Sequence, residues 1–246
     1  MKDNHRTYRY YDLIMALFVT VLLVSNIASS AKIVDWGVSL PLVWLPLAFD
    51  AGTLLFPISY IFGDVLTEVY GYRASRRVIW LGFGAGGLAA TIFLLCDVAP
   101  PAPGYLHQAA FHTILGQSPL ILAASLTAYW AGEFCNSYVL ARMKVWSGGR
   151  HLWMRTIGST VVGEGVDSLL FYPLAFALLP RALGFTAAVW PTQLVLEVML
   201  GNYVLKVLFE AAFTPITYWV VRVLKRAEGV DVYDRDTRFN PFVLRA

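Results

Sequence analysis

Charge is scarce in this sequence. Only 14% of its residues are Asp, Glu, Lys or Arg, and 58% are hydrophobic, where a soluble domain carries about 25% charged residues. That excludes a water-soluble globule and implies a protein that lives in the lipid bilayer. The formal net charge of +3 does not point to a nucleic-acid partner, because the basic residues mark one membrane face instead. Cysteine is nearly absent: Cys96 and Cys135 have no disulfide signature and no metal spacing. His107 and His112 share a loop without a third ligand, so neither a metal nor a cofactor is expected. No Gly-x-x-x-x-Gly-Lys-(Ser/Thr) stretch is present, which excludes P-loop ATP hydrolysis. Neither His-Glu-x-x-His nor a Gly-x-Ser-x-Gly elbow occurs, so metal or serine catalysis is unsupported. A non-enzyme is the expectation. An intramembrane enzyme using Asp64 or Asp167 stays open as an alternative.

What is there is a series of long apolar runs. A membrane span needs about 20 such residues, and six runs qualify, near 13–30, 42–66, 78–96, 119–141, 157–179 and 192–221. The expected fold is therefore all-α, a single integral membrane domain of six transmembrane helices. Small residues close the first run, as in a signal peptide, but the loop charges favour a retained anchor. Pro41, Pro46, Gly52 and Pro57 interrupt the second run, which predicts a lead-in or broken segment there. The sixth run is too long to stand upright, and Pro215 is a candidate end or kink. Gly82, Gly84, Gly86 and Gly87 form a small-residue face read as helix packing, which permits a homodimer.

Basic residues alternate from loop to loop. Lys2, Arg6 and Arg9 precede the first run; Arg73, Arg76 and Arg77 follow the second. Arg142, Lys144, Arg150 and Arg155 join the fourth to the fifth, and Arg222, Lys225 and Arg226 follow the sixth. The opposite loops hold Lys32 and Arg181. The positive-inside rule then puts both termini in the cytoplasm, with 227–246 as a short cytoplasmic tail.

Polar residues inside the runs repeat a pattern. Gly132-Glu133-Phe134-Cys135-Asn136-Ser137 and Gly163-Glu164-Gly165-Val166-Asp167-Ser168 both read Gly-Glu-x-x-(Asn/Asp)-Ser. Positions i and i+3 share a helix face, so each helix aims a carboxylate and a second polar group in one direction. Ionised groups at that depth cost about 3 kcal/mol or more, and a doubled set implies a polar site between helices. Asn202, Tyr203, Lys206 and Glu210 form a stripe on the sixth run; Asp64, Thr67 and Glu68 end the second; Asn26 lies in the first. Simpler readings compete: Lys206 neutralised by Glu210, Asp64 and Glu68 paired with Arg73, Arg76 or Arg77, and Asn26 and Asn136 as interhelical hydrogen-bond partners.

These residues resemble the queuosine precursor transporters, six-span membrane proteins of a vitamin-uptake-like class. The match rests on Gly63-Asp64-Val65-Leu66-Thr67-Glu68-Val69-Tyr70-Gly71, the two motif copies, Trp153-Met154-Arg155-Thr156-Ile157-Gly158-Ser159-Thr160, Tyr203 with Lys206, and the tail Phe239-Asn240-Pro241-Phe242. The resemblance implies a fold similar to the substrate-binding subunits of energy-coupling-factor transporters. It implies a multi-pass protein of the bacterial inner membrane that imports 7-cyano-7-deazaguanine, 7-aminomethyl-7-deazaguanine or queuine for tRNA modification, without its own ATPase. A binding subunit that needs a separate energising complex is the alternative. For such a substrate, Glu133 or Glu164 would accept the paired N–H groups of the guanine-like edge, as a carboxylate accepts arginine. Asn136 or Lys206 would donate to the ring carbonyl, and Asp167 would balance the lysine or hold an aminomethyl cation. Trp130, Phe171 and Tyr203 offer aromatic faces; Asn26 and Glu68 complete the candidate set. One of Glu133, Glu164 and Asp167 is also a candidate proton carrier.

Overall fold

A computed structural model describes residues 8–40, 45–116, 119–182, 184 and 189–243. Helix α1 (Tyr11–Ala31) leads into an antiparallel hairpin of β1 (Ile33–Leu40) and β2 (Leu45–Asp50). A 3₁₀ turn, Ala51–Leu55, then enters α2 (Phe56–Tyr70), followed by α3 (Tyr72–Val98), the short α4 (Gln108–Leu115) and α5 (Pro119–Trp146). Helix α6 (Leu152–Pro173) passes through a π-helical stretch, Leu174–Leu178, into α7 (Leu179–Ala182), and α8 (Thr192–Glu228) completes the bundle.

The fold is predominantly helical, as expected, but the second apolar run is not one helix. Its first part pairs as β2, and the helix begins only at Phe56. The cause is local. Pro46 cannot donate a ladder or helix hydrogen bond, and Pro57 is preorganised for the first turn of a helix. Gly52 lies against α1, where Ser25 Oγ donates to its carbonyl at 3.1 Å. Pro215 does not end α8, which runs unbroken through it. At 1.5 Å per residue α8 is about 55 Å long, well beyond a hydrocarbon core of about 30 Å.

Among the described residues, three helical segments are long and apolar enough to cross a membrane: Tyr11–Ala31, Tyr72–Val98 and Leu152–Ala182. Few of their residues are fully buried inside the bundle; Leu81, Leu88, Ile92, Leu95 and Leu169 are exposed. In water this surface would drive association, whereas in lipid it is matched. The chain is a multi-pass membrane protein.

A buried apolar cluster lies toward the bundle end where α1 begins and α8 finishes. Ile14 and Phe18 of α1 meet Val65, Leu66 and Val69 of α2, with Val78, Leu152 and Val221 alongside. Between helices in lipid the drive is close packing rather than water exclusion, and the α5–α6 crossing shows how it is reached. A Cβ added at Gly132 would lie 2.9 Å from Asp167 Cβ and 3.1 Å from the Gly163 carbonyl. One added at Gly163 would lie 2.7 Å from Asn136 Cβ and 3.0 Å from the Gly132 carbonyl. The two motif copies therefore pack against each other reciprocally, each glycine making room for the partner's Asn or Asp.

After α8 the chain doubles back across this end. At Gly71 (φ 84°), between α2 and α3, the Tyr72 N–H donates to Asp234 Oδ2 at 3.0 Å. Arg76 Nη1 donates to the carbonyls of Arg238 and Asn240, and Trp80 Nε1 to that of Pro241. Arg76 is thus spent on the tail, not on Asp64 or Glu68.

Candidate substrate cavity

Reciprocal packing of the glycines aims Glu133, Glu164 and Asp167 into one cavity of about 760 Å³, within the range of small-molecule sites. It lies toward the bundle end away from the termini, between the second half of α1, α4, the first half of α5, the second half of α6 and the start of α8. Lys206 is its cation. Lys206 Nζ lies 2.6 Å from Glu164 Oε2 and 3.1 Å from Asp167 Oδ2. Helical spacing puts both carboxylates on one face of α6, opposite the α8 lysine. Lys206 therefore pairs across helices, not with Glu210 on its own helix. The Glu133 carboxylate packs at Gly63, where an added Cβ would lie 3.7 Å from Oε2.

Further toward the mouth the lining turns aromatic. Phe176 and Trp190 stack with ring centroids 4.0 Å apart and planes at 20°. Tyr172 stacks on Phe176 at 6.2 Å, and Phe171 meets it edge-on at 5.9 Å. The π-helical stretch gives this wall its geometry. Its extra residue rotates Phe176 relative to a regular continuation of α6, and the Trp190 N–H donates to the Phe176 carbonyl at 2.9 Å. Hydroxyl and amide groups of Ser25, Asn26, Ser29, Ser59, Tyr129 and Asn202 supply polar contacts. His112 borders the cavity, and its Nδ1 lies 2.6 Å from Asp97 Oδ2. Among the described residues no cluster of metal-ligating side chains is present.

Of the residues singled out in the sequence, Glu133, Glu164, Asp167, Lys206, Phe171 and Asn26 line this cavity. Four others do not. Asn136 is held in the α5–α6 crossing by Gly163. Trp130 packs against Trp80, Phe134 and the tail's Phe242, at centroid distances of 5.9, 5.2 and 5.6 Å. Tyr203 donates its hydroxyl to the Val161 carbonyl at 3.1 Å.

Glu68 is fully buried in an ionic plug near the termini. Its Oε1 lies 2.7 Å from Arg155, 2.7 Å from Lys225 and 3.6 Å from Lys144. Asp231 of the tail joins at 2.5 Å from Lys144 and 2.8 Å from Lys225. The expected partners on α3 are not used, because Arg155 on α6 and Lys225 on α8 approach from inside the bundle.

The aromatic wall was missed because its closing member, Trp190, lies in the connection before α8 and reaches Phe176 only through tertiary packing, although Tyr172 and Phe176 stand at i,i+4. Gly82 and Gly86, read as packing glycines, line the cavity, and Gly84 has nothing within 4 Å.

With this geometry in place, sequence comparison decides the family. Residues 50–220 match the model of the family described as "putative vitamin uptake transporter". The chain belongs to this vitamin uptake transporter family. Among its relatives is the "Probable queuosine precursor transporter" of Bacillus subtilis (strain 168), 27% identical over 72% of this chain and 73% of the relative. Another is the "Queuosine precursor transporter" of Escherichia coli (strain K12), 26% identical over 90% of this chain and 92% of the relative. No solved structure matches significantly. The matched region holds α2 to most of α8, and with them Glu133, Glu164, Asp167, Lys206 and the aromatic wall. Membership in a transporter family implies a small-molecule substrate and a membrane environment.

Proposed function

We propose that this protein imports 7-deazaguanine precursors of queuosine, 7-cyano- or 7-aminomethyl-7-deazaguanine or queuine, across the bacterial inner membrane. One observation carries the reading: a single cavity joins stacked aromatic rings to a floor of three carboxylates and one lysine. A planar bicyclic base is both flat and rich in N–H donors. The Tyr172–Phe176–Trp190 wall takes its face, worth about 0.5–1.5 kcal/mol per aromatic contact beyond burial. Glu133 or Glu164 accepts the paired N–H groups of its guanine-like edge. Lys206 donates to the ring carbonyl, and Asp167 balances that lysine. The names of the two relatives, matched over 72% and 90% of this chain, support the same substrate class.

In the finer form of this reading the chain crosses the membrane six times, with both termini cytoplasmic. Its architecture is similar to that of energy-coupling-factor binding subunits, and it acts as a carrier without its own ATPase rather than as an enzyme. The cavity then faces outward, and the Glu68 plug closes the cytoplasmic side.

The test is binding and uptake of labelled 7-cyano- and 7-aminomethyl-7-deazaguanine by the purified chain in liposomes, with Glu164→Gln and Lys206→Met alongside. Uptake that both variants lose supports an autonomous carrier. Binding without uptake favours a subunit with a separate energising partner, and neither binding nor uptake refutes the substrate assignment.

A further inference from the structure

The three carboxylates of the cavity face a lysine, but a second carboxyl cluster does not. Asp64 on α2 and Glu210 on α8 meet side chain to side chain within hydrogen-bonding reach, and each is 1% exposed. Among the described residues no cation lies within salt-bridge distance of either. Lys206, one turn before Glu210, is engaged by Glu164 and Asp167. Arg155, Lys225 and Lys144 are engaged by Glu68, one turn after Asp64. Asp64 Oδ2 and Glu210 Oε1 are both buried and without a hydrogen-bond partner. Carboxylate oxygens only accept, so a hydrogen bond between two carboxyl groups requires a proton between them. Two like charges in contact, out of water and without a counter-ion, cannot both persist.

We propose that the Asp64–Glu210 pair is a proton-binding site that this carrier loads and unloads during transport. The inference rests on the reading of the chain as an uptake carrier. Its position suits the role. Lys206 and the Glu133 carboxylate at Gly63 put the cavity floor one helical step to one side, and the Glu68 plug lies one turn to the other. The other charged groups that bear on the pair are Glu68 from its own α2, Glu133 from α5 and Glu164 from α6, while Lys206, one turn away on α8, is held by Glu164 and Asp167. The described packing from α1 is apolar, through Ile14 and Phe18.

The pair holds one proton shared between two carboxyl oxygens and a net negative charge. A second proton, taken from the outer water through the cavity, binds a free carboxylate oxygen and leaves both groups neutral. Release of that proton on the termini side, once the plug opens, restores the starting state. No other bond is made or broken. Lys206 anchors Glu164 and Asp167 of the cavity, whereas among the described residues no cation lies within salt-bridge distance of Asp64 or Glu210, so the pair is free to change charge.

Two measurements on the purified full chain test this. The first is infrared spectroscopy at neutral pH. A protonated-carboxyl C=O band is expected in the native protein, to shift in Glu210→Gln and in Asp64→Asn because one buried acid without a counter-ion remains in each, and to lose the pair's contribution only in the double variant; absence of the band in the native protein overturns the proposal. The second is uptake of labelled 7-aminomethyl-7-deazaguanine into liposomes with acid outside. One coupled proton across about one pH unit drives about tenfold accumulation. A proton ionophore is expected to abolish it. Glu210→Gln and Asp64→Asn, close in shape to the protonated acids, are expected to keep substrate affinity and downhill exchange while losing that accumulation. Variants that still accumulate with the proton gradient, or native uptake that follows a sodium gradient instead, overturn the proposal. Native protein that neither binds nor moves the base refutes the substrate reading, and the infrared band then decides the pair by itself.

Discussion

Replacing Glu68 by Gln removes the central anion of the plug while keeping its shape. Glu68, Lys144 and Arg155 are within 1% of full burial, and Lys225 is 23% exposed. Breaking a buried ion pair by deleting one partner costs about 3–5 kcal/mol, because the other charge is left uncompensated. Asp231 continues to hold Lys144 and Lys225, so the loss falls mainly on Arg155. Its remaining partners are the Arg150 carbonyl and Ser147 Oγ. That argues for the lower end, about 3 kcal/mol. In a chain of this size each kcal/mol moves the melting temperature by about 2–4 °C, so a fall of about 6–12 °C is expected. The assay is thermal unfolding of the detergent-purified chain, followed by its intrinsic fluorescence, with Arg155→Gln and the double variant Glu68→Gln/Arg155→Gln alongside. Because the two residues share one interaction, the double variant should lose at least about 1 kcal/mol less than the two single losses added together. A Glu68→Gln protein that melts within about 1 °C of native, or single losses that simply add, would refute a cooperative plug.

Other expectations follow from the same geometry. Gly163→Val puts a branched side chain where Asn136 Cβ already stands; overpacking of this kind costs about 1–3 kcal/mol, read as a lower melting temperature, with Gly158→Val milder because only the flexible Met143 side chain is met there. Trp190→Ala removes the stacked partner of Phe176 and should weaken base binding about 3- to 10-fold, measured by titration in detergent, with little change in melting. Acid should loosen the tail. Glu228 and Asp231 are partly raised by burial, but hydrogen bonds prevail and hold both below their ordinary values: Arg9 and Tyr10 N–H with Tyr70 Oη for Glu228, Lys144 and Lys225 for Asp231. A lowered folded-state value stabilises above the unfolded value, and that stability is lost as pH falls through the folded one. Melting temperature should therefore drop below about pH 4, and Asp231→Asn should flatten the drop.

Much of this protein was legible in its residues. Long apolar runs can satisfy their backbone in lipid only by coiling, so a helical membrane protein followed from composition and spacing. The Gly-Glu-x-x-(Asn/Asp)-Ser repeat pointed to paired carboxylates between α5 and α6, because i, i+3 spacing is a local property of a helix. Partner choice was not local. Lys206 turned from Glu210 to Glu164 and Asp167, Glu68 turned from the α3 arginines to Arg155 and Lys225, and Trp130 was covered by Phe242. Each depends on which helix faces which, and that was settled by the glycine crossing at 132 and 163, by the break at Pro46–Pro57 and by the returning tail. The sequence by itself determined the membrane habit, the helices and the inventory of polar groups. Only the tertiary structure decided which of those groups share a cavity, which seal it and which are left facing each other, because pairing energies fall off within a few ångströms and no residue spacing along one helix encodes its neighbour.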